Sequence, residues 1–197
     1  MNSLGNEIMK ASDGARASLL ARPAMDETMS IHGRWDVECF DADGNLKWRD
    51  TVENTVMTVG KNLALDTFLA GSAYTVVGPF VGFISLTSFT AISAADTMAS
   101  HTGWLEAGTA NAPTYTAPRK TAAWSAASAG AKALSAALAY AITGTGTVKG
   151  LFVVYGTGAL STIDNTAGTL FSAGLFTGGD RAVLSGDTIN ASYSVSM

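Results

Sequence analysis

The chain has 197 residues, only 14% of them charged, and a formal net charge of −4 at pH 7. That length suits one well-buried core with an appended arm. The acidic balance, with no Lys/Arg-rich stretch interleaved with aromatics, argues against a surface that tracks phosphates, and a single cysteine, Cys39, excludes an internal disulfide or a multi-cysteine metal site.

Sparse charge has a second implication. Soluble domains usually carry roughly 25% charged residues, so part of this surface is expected to be covered by other subunits. No stretch reaches the ~18 uninterrupted apolar residues of a membrane-spanning helix. Asn2, Asn6, Glu7, Lys10, Asp13 and Arg16 interrupt any signal-peptide core at the N-terminus. The expected setting is a reducing cytoplasm or a particle assembled there.

Residues 1–28 read as an N-terminal arm. Glu7, Lys10, Asp13, Arg16, Arg22, Asp26 and Glu27 mix both charge signs, Gly14 weakens the short Ile8/Leu19/Leu20 stripe, and Pro23 favours extended backbone around Arg22. A single domain is expected over residues 29–197. It opens on a hairpin: Trp35, Val37 and Cys39 alternate with Arg34, Asp36 and Glu38, Asp41-Ala42-Asp43-Gly44-Asn45 supplies the turn, and residues 46–56 return with Trp48 and Val52 inward.

Residues 59–70 predict a helix, because Leu63, Leu65, Phe68 and Leu69 are too crowded for a strand. Thr58 is the expected N-cap and Gly71 the C-terminal stop. Residues 80–86 are almost continuously apolar, as in a strand covered on both faces. A long connection follows, with a helical turn expected at 96–101 and Trp104 and Leu105 as anchors. Pro113 and Pro118 then frame extended edge segments.

Residues 131–142 combine helix-favouring alanine with Leu134, Leu138, Tyr140 and Ile142 at even positions, and are assigned to a strand. Strands are also expected at 147–155, 169–176 and 181–184. The last, from Asp187 to Met197, puts Ile189, Ala191, Tyr193 and Val195 on one face and Thr188, Asn190, Ser192 and Ser194 on the other. About eight strands with one substantial helix describe an all-β sandwich or barrel.

Residues capable of chemistry are few. His101 lies near Ser100 and Asp96, but neighbours on one loop rarely converge as a triad, so a loop-stabilising hydrogen bond is expected. Cys39 shares the apolar face of Trp35 and Val37, where a thiol behaves as a small hydrophobe, so a nucleophile pairing with His32 or His101 is set aside. Asp41-x-Asp43-Gly44-Asn45 has its glycine fourth and Asp50 tenth, which does not match a calcium loop. The stretch from Gly144 to Gly150 fails both nucleotide fingerprints, and Asn190-Ala191-Ser192 is read as a chance glycosylation triplet. Trp35, Trp48, Trp104 and Trp124 are assigned to packing rather than to a sugar platform. No catalytic, cofactor-binding or metal-ligating residue is assigned, and no enzyme activity is expected.

Several strings carry a resemblance. Ile31-His32-Gly33-Arg34-Trp35-Asp36-Val37-Glu38-Cys39-Phe40-Asp41 with Asp43-Gly44-Asn45-Leu46-Lys47-Trp48 resembles the opening of small virion proteins of tailed bacteriophages. Asp96-Thr97-Met98-Ala99-Ser100-His101-Thr102-Gly103-Trp104, Thr169-Leu170-Phe171-Ser172-Ala173-Gly174, and Gly178-Gly179-Asp180-Arg181 with Ser185-Gly186-Asp187-Thr188 are similar to later parts of that group. The resemblance spans residues 29–197 and leaves the arm outside.

It implies a jelly-roll-like sandwich acting as a capsid cement, or decoration, protein on the virion exterior. Its implied partners are the major capsid protein and further copies of itself; the arm departs from that group's pattern and is expected to order on a neighbour. A tail, neck or head-fibre adaptor is the alternative within this group. A carbohydrate-binding module or small hydrolase is the alternative from another class.

Overall fold

A computed structural model describes residues 31–69 and 77–196. The arm assigned to 1–28 and the helix stop assigned to Gly71 lie outside the described residues. Within them the chain forms twelve strands and one helix, arranged as two antiparallel sheets packed face to face. The all-β sandwich is therefore the architecture that alternation and turn spacing predict.

The first sheet runs β2 (Leu46–Glu53), β1 (His32–Phe40), β12 (Thr188–Ser196), β8 (Leu138–Gly144), β5 (Thr114–Tyr115). First and last long strands pair along their whole length, from His32 opposite Ser196 to Phe40 opposite Thr188. β7 (Ala131–Ala133) pairs with the far end of β12, on Ser194–Ser196. The stretch 131–142 is thus strand rather than helix, split where Leu134–Ala137 stand opposite only Ser192 and Tyr193. Leu138, Tyr140 and Ile142 are buried, as the even positions require.

The second sheet runs β3 (Thr55–Val56), β10 (Thr169–Leu175), β9 (Gly146–Tyr155), β4 (Phe80–Ser85), β6 (Lys120–Thr121), and β11 (Arg181–Val183) continues the β10 edge of β9. Residues 46–56 do not return as one strand. The chain leaves the first sheet after Glu53 and joins the second at Thr55, with Asn54 at the crossing. There the Asn54 backbone N–H donates to the Gly33 carbonyl at 2.9 Å and its Nδ2 to Ser172 Oγ at 3.0 Å. The β1–β2 hairpin stays in one sheet and the β9–β10 pair in the other. Other links, among them β2–β3, β8–β9 and β11–β12, pass between the sheets, and the two-sheet antiparallel sandwich is what this strand order shows.

Two cores explain the two kinds of apolar run. Between the sheets lie Trp35, Val37, Cys39, Tyr140, Ile189 and Tyr193 from one side and Val81, Phe83, Val148, Leu151 and Val153 from the other. The outer face of the second sheet is covered too: Ile84, Phe152, Val154 and Leu170 meet Met57, Met98 and Trp104. β4 and β9 are covered on both faces, so they read as continuous hydrophobics, whereas β1 and β12 have one wet face and alternate.

Helix α1 (Thr58–Leu69) packs on β10. A Cβ on Gly60 would press on the Phe171 backbone, so glycine allows that approach. Lys61 N–H donates to the Met57 carbonyl at 2.9 Å, which makes Met57 the cap and moves Thr58, the expected cap, into the first turn. The expected helical turn at 96–101 is instead a tight hairpin. Thr97 N–H donates to the Ser100 carbonyl at 2.9 Å and Ser100 N–H returns to Thr97 at 3.2 Å.

Candidate functional site

His101 is occupied by its own loop. Its Nδ1 lies 3.0 Å from the Trp104 carbonyl, and its ring stacks on Trp104 with centroids 4.0 Å apart. Asp96 turns away from it, accepting from Trp104 Nε1 and Ser93 N–H, both at 3.0 Å. Ser100 serves the Thr97 turn through its backbone N–H. The three residues close one loop over Trp104 and do not assemble into a nucleophile, base and orienting acid.

Cys39 is fully buried on β1. Burial pushes its thiol up to about 12, and the Asp187 carboxylate, 3.8 Å from Sγ, adds to the effect. A thiol so protonated is a packing group rather than a nucleophile. Asp187 is itself engaged by Lys47 Nζ at 2.5 Å and Leu184 N–H at 2.8 Å. His32, the other histidine, begins β1 opposite Ser196 and is exposed.

Asp41 binds its own turn. Its carboxylate accepts Asp43 N–H at 3.0 Å and Asn45 N–H at 2.8 Å. The Asn45 backbone bond, first among several, holds its carboxyl below the usual range. Gly144-Thr145-Gly146 forms the corner between β8 and β9. A Cβ at Gly146 would strike the Pro113 backbone and one at Gly144 the Thr114 hydroxyl. Close approach of another segment, not a phosphate, accounts for these glycines.

The strongest polar constellation escaped sequence reasoning. Arg119 and Glu106, both buried, form a two-pronged ion pair, Nε to Oε1 at 2.7 Å and Nη2 to Oε2 at 2.6 Å. Asp164 N–H adds a third bond to Glu106 at 2.8 Å. Arg119 also donates to the carbonyls of Leu160 at 3.0 Å and Asn165 at 2.7 Å, and its guanidinium lies over the Phe152 ring. Burial raises the Glu106 carboxyl against the opposing pull of Arg119. Each oxygen and most guanidinium donors are spent within the protein, so the pair ties the 104–119 segment to the 156–168 loop.

A recess of about 200 Å³ opens beside His101, Glu106 and Asp164, and two larger surfaces are accessible as well. The outer face of the first sheet carries a shallow trough of about 630 Å³ lined by Arg34, Asp36, Glu38, Arg49, Thr51, Asn190 and Ser192, none of them aromatic. Exposed ion pairs Arg34–Asp36 at 2.9 Å and Arg49–Glu38 at 3.3 Å balance its charge. Asn190 and Ser192, the triplet's polar members, both face it. At the end of the sandwich, where β1 begins and β12 ends, lies an apolar cleft of about 260 Å³. Its walls are Pro79, Trp124, Val153, Tyr155, Phe171, Tyr193 and Val195, with Lys132 its one charged residue. Trp124 meets Tyr193 edge-on at 5.7 Å, and Tyr193 packs on Trp35 at 4.5 Å. Trp35 and Trp104 are core residues, as expected. Trp48 is half-buried and donates to the Ala182 carbonyl at 3.1 Å, and Trp124 alone of the four lines the cleft.

Among the described residues no three His, Cys, Asp or Glu side chains converge as metal ligands. Comparison with known protein families, curated proteins and solved structures finds no match.

Proposed function

We propose that this protein is a structural virion component, a capsid cement protein that binds the major capsid protein and its own copies on the exterior of a phage head. One observation carries the reading: His101, Cys39 and the Glu106–Arg119 pair are engaged in contacts within the protein, while the largest accessible faces described are a sheet surface of paired charges and an apolar cleft. Such a body suits binding and bracing; among the described residues His101, Ser100 and Asp96 do not converge as a nucleophile, base and orienting acid. The 14% charge content and the string resemblance over residues 29–197 support the same reading.

In this role the sandwich sits rigidly across joints between capsid subunits. Apolar area removed from water contributes about 25 cal/mol per Å² before association costs. Many weak contacts repeated over a shell then act together. Copy number per purified particle tests the assignment: hundreds of copies are expected, and a dozen or fewer would move the protein to a tail or neck. Deleting residues 1–28 tests the arm, with lower occupancy of the particle expected and unchanged occupancy removing the arm from the mechanism.

A further inference from the structure

The apolar cleft lies where the chain enters the fold. His32 stands opposite Ser196, Gly33 opposite Val195, and Val195 opposite Lys132. Val195 and Lys132 both line the cleft. The described chain therefore begins, at Ile31, two residues from the Gly33–Val195 pair at the cleft, and 30 residues precede it. We propose that the cleft seats this chain's own N-terminal arm, with Met25 and Met29 as the entering side chains.

Reach permits it. At roughly 3.3–3.6 Å per residue, Met29 can stand about 10 Å from His32 and Met25 about 24 Å. Chemistry favours it: methionine is unbranched and polarizable, adapts to irregular apolar space, and gains from sulfur–aromatic contact, and Trp124, Tyr155, Phe171 and Tyr193 form the walls. Charge agrees as well, since Asp26 and Glu27 lie between the two methionines and Lys132 is the one charged group on the rim. A short tether keeps the arm at an effective concentration in the mM range, which favours the chain's own cleft over a neighbour's. The inference stands apart from the virion reading: the arm has a seat on its own domain before any neighbour is present.

The test uses the full chain carrying Met29→Cys and Lys132→Cys, both outside the core, under mild oxidation. The expected result is loss of both introduced thiols into a cross-link within one chain, unchanged on ~tenfold dilution. A cross-linked dimer would overturn the proposal in favour of arm exchange between copies. Two thiols that stay reduced and react freely with maleimide would overturn it outright. As a second readout, Met29→Asp in the full chain is expected to open Trp124 to iodide quenching, measured against Trp124→Phe. Unchanged quenching contradicts the proposal.

Discussion

Glu106 and Arg119 show how a buried charge can hold loops rather than perform chemistry. Removing one partner strands the other away from water, a cost of about 3–5 kcal/mol, whereas replacing both with apolar groups of similar size is far milder. Arg119→Met is therefore expected to lower the urea midpoint severely, and Glu106→Leu/Arg119→Met to recover most of the loss. A single-variant cost under ~1 kcal/mol would mean the pair is not the lock described. Cys39 gives a pH signature. An unfolded thiol ionises near its usual 9.0, while the folded one keeps its proton to about 12. The native state binds more protons in that window, so its stability falls as pH rises through it. Burial raises the phenols of Tyr115, Tyr140 and Tyr193 and adds to the loss at higher pH. Cys39→Ala is expected to flatten the slope just above pH 9 by up to about 1.4 kcal/mol per pH unit; superimposable slopes for both proteins would refute this. On the acid side Asp41 is held low by the Asn45 bond. Asp50, despite its burial, is held low by Thr51 N–H and Arg181. Their contribution is present above about pH 4 and is lost as pH falls through their lowered values.

Strand elements set by alternation were legible, and elements set by distant partners were not. β1 and β12 each have one wet face, so their pattern follows from the pleat alone. The doubly covered strands β4 and β9 were legible as unbroken apolar runs. By contrast β3, β5 and β6 are two residues long and exist because β10, β8 and β4 offer them partners. The sheet change at Asn54 depends on Gly33 and Ser172, which no local window contains. The Glu106–Arg119 pair was invisible for the same reason: its value comes from the 156–168 loop folding over it. Of the candidate site, the burial of Cys39 and the loop hydrogen bond of His101 could be read from their neighbours. The cleft could not, because its walls come from residues scattered between Pro79 and Val195. The turn before β7 offers a test at this scale. Ser128 and Ala131 exchange backbone bonds at 2.9 Å, and between them Ala129 has φ of 49° and Gly130 of 73°. That two-residue turn prefers Asn-Gly, and alanine is strained there by about 1 kcal/mol. Ala129→Asn is expected to raise the melting temperature by about 2–4 °C; a lower value would mean the strain lies elsewhere.

In the whole molecule, one sheet is covered on both faces, and among the described residues the other sheet's outer face, with its shallow trough, is left as the presentation surface. That surface is built of Arg34–Asp36 and Arg49–Glu38 pairs with small polar residues between them, so a bulky charge can be added without touching either core. Ser192→Arg is expected to leave the melting temperature within about 1–2 °C of the parent, since exposed substitutions rarely exceed ±0.5 kcal/mol. The same change should reduce particle occupancy several-fold if this face meets the capsid; full occupancy would assign the contact to another face. The proposed role is to brace an assembly. The most direct measurement is a symmetry-resolved image of purified particles with the copy number counted. A repeating density the size of this sandwich is expected over the outside of the head, at the joints between capsid subunits. Density confined to the tail or neck, or particles without the protein at all, would contradict it.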